Sequence, residues 1–192
     1  MMSAIDEKEI KSSIHPVKFA LYLSFASIIM MFAGFTSAYI VRQGAGNWAD
    51  YAMPNWFFVS TAVILASSMV LHASYSAFRK GNATMYRALL VLGFCLGLTF
   101  MVTQYLGWQA LHSFGVDLKA NHSGAFILVI TWVHAAHVLG GITALAVALV
   151  HAFLLPFKVT DKRILRFELT VQYWHFVDIL WVYLILFFIF QR

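Results

Sequence analysis

Apolar positions run in long blocks along this chain, and the polar positions fall between them. Five blocks, 18–41, 56–78, 86–108, 124–152 and 169–190, are almost wholly apolar. The connectors hold most of the Pro, Asn, Asp and Lys/Arg residues. A helix crosses the hydrocarbon core of a bilayer with about 20 residues, so each block is long enough to span with some tilt. The pattern predicts an all-α fold: a polytopic membrane helix bundle of five transmembrane helices in a single membrane domain, 1–192. No internal repeat or low-complexity tract interrupts it. The first block is too long for a signal-peptide core and shows no small-residue cleavage pattern, so it is expected to persist as a helix.

Composition agrees with the pattern. Of the 192 residues, 61% are hydrophobic and 11% charged, where a soluble domain carries about 25% charged. The chain has 13 basic and 8 acidic residues. That excess does not call for a nucleic acid partner, because Lys and Arg gather at the cytoplasmic ends of membrane helices. Lys8, Lys11 and Lys18 precede or open the first span. Arg79, Lys80 and Arg87 flank the second connector, and Lys158, Lys162, Arg163 and Arg166 the fourth. These segments fall on one side and hold ten of the 13 basic residues; Arg42, Lys119 and Arg192 are left for the other. The asymmetry predicts a cytoplasmic N-terminus and, after an odd number of spans, a periplasmic C-terminus. Trp48, Trp56 and Trp108 then fall near outer ends, as interfacial aromatics do. The single cysteine, Cys95, lies in an apolar block and allows neither an intrachain disulfide nor a cysteine metal cluster.

Ionisable and amide side chains inside a span are functional candidates by default. Here they are Ser67, Ser68, His72, Gln104, His134, His137, Gln172, His175 and Asp178, with His151 and Glu168 near span ends. On the fourth span His134, His137, Gly141, Ala144, Ala148 and His151 share an arc of about 100°, mixing imidazole with small residues that permit close helix approach. On the fifth, Glu168, Gln172, His175 and Asp178 share one side. A rise of about 1.5 Å per residue puts His72, His175 and Asp178 about 9–14 Å from the inner end. The same rise puts Gln104, His134 and His137 about 20–27 Å from it. Two polar layers are therefore expected.

Three chemistries fit these residues. A b-type haem needs one imidazole from each of two helices at one depth, and His72 and His175 qualify; no second pair and no Glu-x-x-His carboxylate pattern accompanies them. A proton path would use His and Asp at mid-depth, but no inverted repeat or Gly/Pro-broken helix pair accompanies them. The third reading is structural: interhelical hydrogen bonds of about 0.6 kcal/mol each select one packing. On it the small-residue stripe is structural, and the Ser67 and Ser68 hydroxyls bond back to their own helix.

Several segments resemble the subunit III family of haem-copper respiratory oxidases. "YWHFVDILW", Tyr173–Trp181, is similar to that family's signature on its last helix, and Glu168 stands five residues before it, as the family's glutamate does. "TWVHAAHV", Thr131–Val138, resembles the family segment with two histidines three apart, and "ASSMVLHAS", Ala66–Ser74, the Ser-Ser helix with a following histidine. "LGLTFMVTQ", Leu96–Gln104, and "MFAGFTSAY", Met31–Tyr39, are weaker matches. The order and spacing agree across about 160 residues.

The resemblance implies a five-helix form lacking the first two of seven helices, without haem, copper or catalytic residue of its own. Haem and copper belong to partner subunits I and II; subunit I is the principal contact, alongside subunit II and other respiratory-complex subunits. Phospholipid binding and a multi-pass place in the bacterial inner membrane are implied too. The complex would reduce oxygen to water with electrons from cytochrome c and pump protons. A subunit III-like protein of a quinol oxidase or nitric oxide reductase system is the alternative within the resemblance, and a b-haem-binding membrane protein the alternative outside it. His72, Gln104, His134, His137, Glu168, Trp174, His175, Asp178 and Trp181 are the implied signature, interface or lipid-contact positions. Two departures stand out: Ile28 occupies the place of the family's buried glutamate, and the acidic residue that often follows the helix-three glutamine is missing after Gln104.

Overall fold

A computed structural model describes residues 15–46, 48, 53–116 and 122–191. Lys8, Lys11, Lys119 and Arg192 lie outside the described residues. Five helices account for nearly all of it: α1 Pro16–Gly44, α2 Asn55–Arg79, α3 Ala83–Ser113, α4 His122–Leu154 and α5 Asp161–Phe190. All five are long and apolar enough to cross a membrane.

The helices outrun the apolar blocks because a helix continues past the hydrocarbon into the polar interface. α5 shows this best. It starts at Asp161, behind the N-cap Thr160, and spends its first two turns on "DKRILR" before its apolar face begins. Asp161 in that first turn suits the positive end of the helix dipole. Pro16 opens α1 with its fixed φ. Gly81 at φ +76° turns the chain from α2 into α3, a backbone region that side-chain-bearing residues rarely adopt. Asn82 then caps α3 by accepting from the Met85 amide at 3.1 Å.

Successive helices alternate in direction. α5 packs on α1, α2 and α4, and α3 packs on α2 and α4. The last four helices thus close a ring, and α1 lies outside it against α4 and α5.

The α2–α3 seam is built from serines. Ser60, Ser67 and Ser74 recur at seven-residue intervals, all fully buried, a spacing that keeps one seam facing one partner. Ser67 donates to Gly93 O and Ser74 to Tyr86 O, both at 3.0 Å. Ser60 accepts from Gln104 Nε2 at 3.1 Å. The expectation that Ser67 and Ser68 bond back to their own helix is corrected here: both hydroxyls cross to a neighbouring helix. Gly93 explains Ser67, because without a side chain α3 comes close enough to offer its carbonyl.

The core of the ring is filled from α5. Trp174 and Trp181, one heptad apart, are completely buried. A Cβ added at Gly97 of α3 would stand 2.7 Å from the Trp174 ring, and one at Gly141 of α4 3.0 Å from it. Trp181 sits among Phe57, Phe100 and His134 with ring centroids 5.8, 5.6 and 5.0 Å away. Its indole N–H donates to Thr61 Oγ1 at 3.0 Å.

α1 runs parallel to α5 and is held along its length. Lys18 pairs with Glu168 at 2.7 Å, Phe25 stacks on Phe176 at 4.1 Å, Thr36 and Tyr183 share a 3.0 Å hydrogen bond, and Gln43 Nε2 donates to Gln191 O at 3.1 Å. Only Phe32, Thr36 and Tyr39 of α1 are buried.

Gly97→Ala should destabilise the protein by about 1–3 kcal/mol, the usual cost of overpacking, because the indole has no room to retreat. Gly34→Ala, where an added Cβ meets nothing within 4 Å, should leave stability unchanged or raise it. Thermal unfolding of both variants in lipid nanodiscs checks the contrast.

Candidate intramembrane polar site

The α5 segment Tyr173–Trp181 carries two kinds of side chain. Trp174, Asp178 and Trp181, at i, i+4 and i+7, share the face turned into the ring, and all three are buried. His175 stands to one side, toward α2.

There the structure brings three predicted polar residues together. Ser68 of α2 shares a short hydrogen bond with His175 Nδ1. The His72 ring lies 5.8 Å from the His175 ring, tilted by 44°. Asp178 stands one turn farther along α5, and neither of its oxygens has a hydrogen-bond partner among the described residues. His175 Nε2 has no protein partner among the described residues. His72 is exposed on the bundle surface, in the gap left where α1 does not pack on α2.

A second group lies farther along the bundle. Gln104 bonds Ser60, and His134 is stacked on Trp181 at an interplanar angle of 28°. Phe32 and Phe100 stand edge-on to the same imidazole at 6.3 and 6.2 Å. His134 is fully buried, and neither of its ring nitrogens has a partner among the described residues. Aromatic surfaces, not polar ones, enclose it.

The contacts Trp174–Gly141 and Trp181–His134 fix an antiparallel register between α4 and α5. In that register His137 falls level with Asp178, a helical turn inward of His134. The two-layer expectation is corrected to that extent: His72 with His175 and Gln104 with His134 mark distinct levels, and His137 lies between them. Dead reckoning from span ends misplaced it, since α5 begins at Asp161 and α4 continues to Leu154. His137 Nδ1 lies 2.7 Å from its own helix at Val133 O, and its carbonyl accepts from Tyr173 at 2.9 Å.

Glu168 is separate again. It accepts from Lys18 at 2.7 Å and from Gln172 at 3.1 Å, tying the start of α1 to α5. Ile28 is half-buried against the core. Thr61, Thr131 and Lys18 were not among the residues singled out by position in a span, yet each bonds a partner on another helix. The serine heptad on α2 was a readable signal; the threonine and lysine partners depend on helix rotation. Among the described residues no three His, Cys, Asp or Glu side chains come together as a metal-binding group.

Fold and site together define an all-helical protein with five helices able to span a membrane, in which Ser67, Ser68, Gln104 and His175 bond from helix to helix. The family model for cytochrome c oxidase subunit III matches residues 13–191, and the chain belongs to that family. "Cytochrome c oxidase subunit 3" of Corynebacterium diphtheriae is 29% identical over 161 residues, covering 80% of this chain and 78% of that protein. "Probable cytochrome c oxidase subunit 3" of Mycobacterium tuberculosis is 29% identical over 162 residues, covering 82% and 79%. "Cytochrome c oxidase subunit 3" of Gallus gallus is 30% identical over 126 residues, covering 66% of this chain and 46% of that protein.

His134→Leu should change stability by less than about 1.5 kcal/mol, as volume-conserving core swaps do, because the imidazole acts here as a flat, unbonded ring. Thermal unfolding checks this. A loss of about 3 kcal/mol, the scale of a stranded buried polar group, would show that a ring nitrogen holds a bond.

Proposed function

We propose that this chain is the non-catalytic subunit III of a bacterial haem-copper terminal oxidase, packing on subunit I, contacting lipid and stabilising the complex while the oxygen chemistry takes place in the partner subunits. The observation that carries the reading is the use made of "YWHFVDILW". Trp174 fills the α3–α4 interior and His175 meets Ser68 and His72 of α2, so the signature serves packing and register. Membership of the family and the bacterial relatives support it.

Orientation follows from charge. Lys18, Arg79, Lys80, Arg87, Lys158, Lys162, Arg163 and Arg166 gather at one end of the bundle, at the start of α1 and the α2–α3 and α4–α5 turns. That end is cytoplasmic on the positive-inside rule, in the bacterial inner membrane, with the C-terminus on the periplasmic side. His72 is the mid-span imidazole that the bundle leaves open. A polar group in hydrocarbon calls for cover, so the α1–α2 gap is the side on which a partner subunit meets this chain.

Asp178→Asn tests the packing role. The variant should lower the yield of assembled oxidase, measured by co-purification of the haem-bearing subunit. Oxygen consumption per assembled complex, with reduced cytochrome c as donor, should stay near wild type. Normal assembly with a selective loss of proton uptake would assign Asp178 to proton transfer instead. A haem spectrum from the chain purified alone would contradict the cofactor-free reading.

A further inference from the structure

Trp174 and Asp178 stand one turn apart on the face of α5 turned into the bundle, 0% and 2% exposed. Side chains at that spacing are neighbours, with about 5–6 Å between their Cβ atoms. The indole Nε1 and both Asp178 oxygens are buried, and none of the three has a hydrogen-bond partner among the described residues. Buried polar groups are nearly always paired, with protein or with ordered water. Hydrocarbon outside the bundle offers them nothing.

The indole is gripped by one of its two fused rings. A Cβ added at Gly97 would meet Cη2 and Cζ2, and one at Gly141 would meet Cε3 and Cζ3. All four atoms belong to the six-membered ring. The N–H lies on the five-membered ring, outside that clamp. This second ring joins the side chain to α5, the helix that carries Asp178.

We infer that the Trp174 N–H and the Asp178 carboxyl hold one buried water between them, in the interior enclosed by α2, α3, α4 and α5. The pair selects its occupant by chemistry. The occupant must accept from an N–H on one side and donate to a carboxyl oxygen on the other, and water does both. A metal cation cannot accept from the indole. Asp178 has no ion-pair partner among the described residues, and its burial keeps a neighbouring subunit from reaching it. One N–H and two carboxyl oxygens offer three bonding positions, within the two to four that a buried water uses. Tryptophan at 174 then serves by its N–H as well as by its bulk, and Asp178 as the acceptor one turn on. The site depends on the fold of this chain and not on the oxidase reading.

The first test is a structure of the wild-type complex at a resolution that shows ordered water. It should show a density peak at hydrogen-bond distance, about 2.7–3.2 Å, from Nε1 and from an Asp178 oxygen. The second test is ultraviolet resonance Raman on the full chain in nanodiscs, where an indole band reports whether the N–H is bonded. Each variant is read as a difference from wild type, so the unchanged tryptophans cancel. Trp174→Phe should remove a bonded-indole band, which assigns it. Asp178→Leu should convert that band to the free-indole form. Asp178→Asn, which keeps a carbonyl oxygen as acceptor, should retain it. A free Trp174 N–H in wild type, a direct bond from Nε1 to Asp178 with no water between them, or a bonded band unchanged in Asp178→Leu would overturn the site. If Asp178→Leu does not fold, the wild-type density and the Asp178→Asn spectrum still decide.

Discussion

Trp174 and Trp181 can be buried on α5 only because α3 and α4 offer them room. Gly97 and Gly141 carry no side chain where the Trp174 ring lies, and His134 lies flat against Trp181. Inside a bilayer the hydrophobic effect does not drive helices together, so close van der Waals packing and interhelical hydrogen bonds must do it. Two indoles seated a heptad apart set the depth and rotation of α5 against two neighbours at once. The other seams take their alignment from that placement: Ser68 reaches His175, Thr61 accepts the Trp181 N–H, and α1 lies along the outer flank of α5 from Lys18 to Gln43.

The five spans were legible in the sequence because each apolar block exceeds the thickness of the hydrocarbon core, and no tertiary information is needed to see that. The pairing of His72 with His175 was legible too, since both lie at similar distances from the same end of the bundle. His137 was misplaced, because depth counted from span ends inherits the error in those ends, and α5 has two further turns above its apolar block. Rotation is harder to read than depth. That Ser67 and Ser68 bond outward, and that Lys18 meets Glu168 across 150 positions, depends on which face each helix turns to its neighbours. The composition of such uniformly apolar helices hardly marks a face. The seven-residue repeat of Ser60, Ser67 and Ser74 does mark one, and it marks the tightest seam in the bundle.

These assignments give the last-helix signature a physical meaning. Of the residues that look most reactive in the sequence, His134 is enclosed by aromatic rings and His175 is engaged with a serine. What the ring leaves open are its flanks: His72 in the α1–α2 gap, and a groove lined by Arg163 and Arg166 where α4 and α5 part.

The most direct test of the account is a double-mutant cycle between Gly97→Ala and Trp174→Phe, read as unfolding free energy in nanodiscs. If the indole and the glycine share one space, the smaller ring relieves the added methyl. The combined loss should then fall short of the sum of the single losses by about 1 kcal/mol or more. Losses that add to within about 0.5 kcal/mol, as independent sites do, would show that Trp174 is not seated on Gly97 and would contradict the packing on which the rest of the bundle depends.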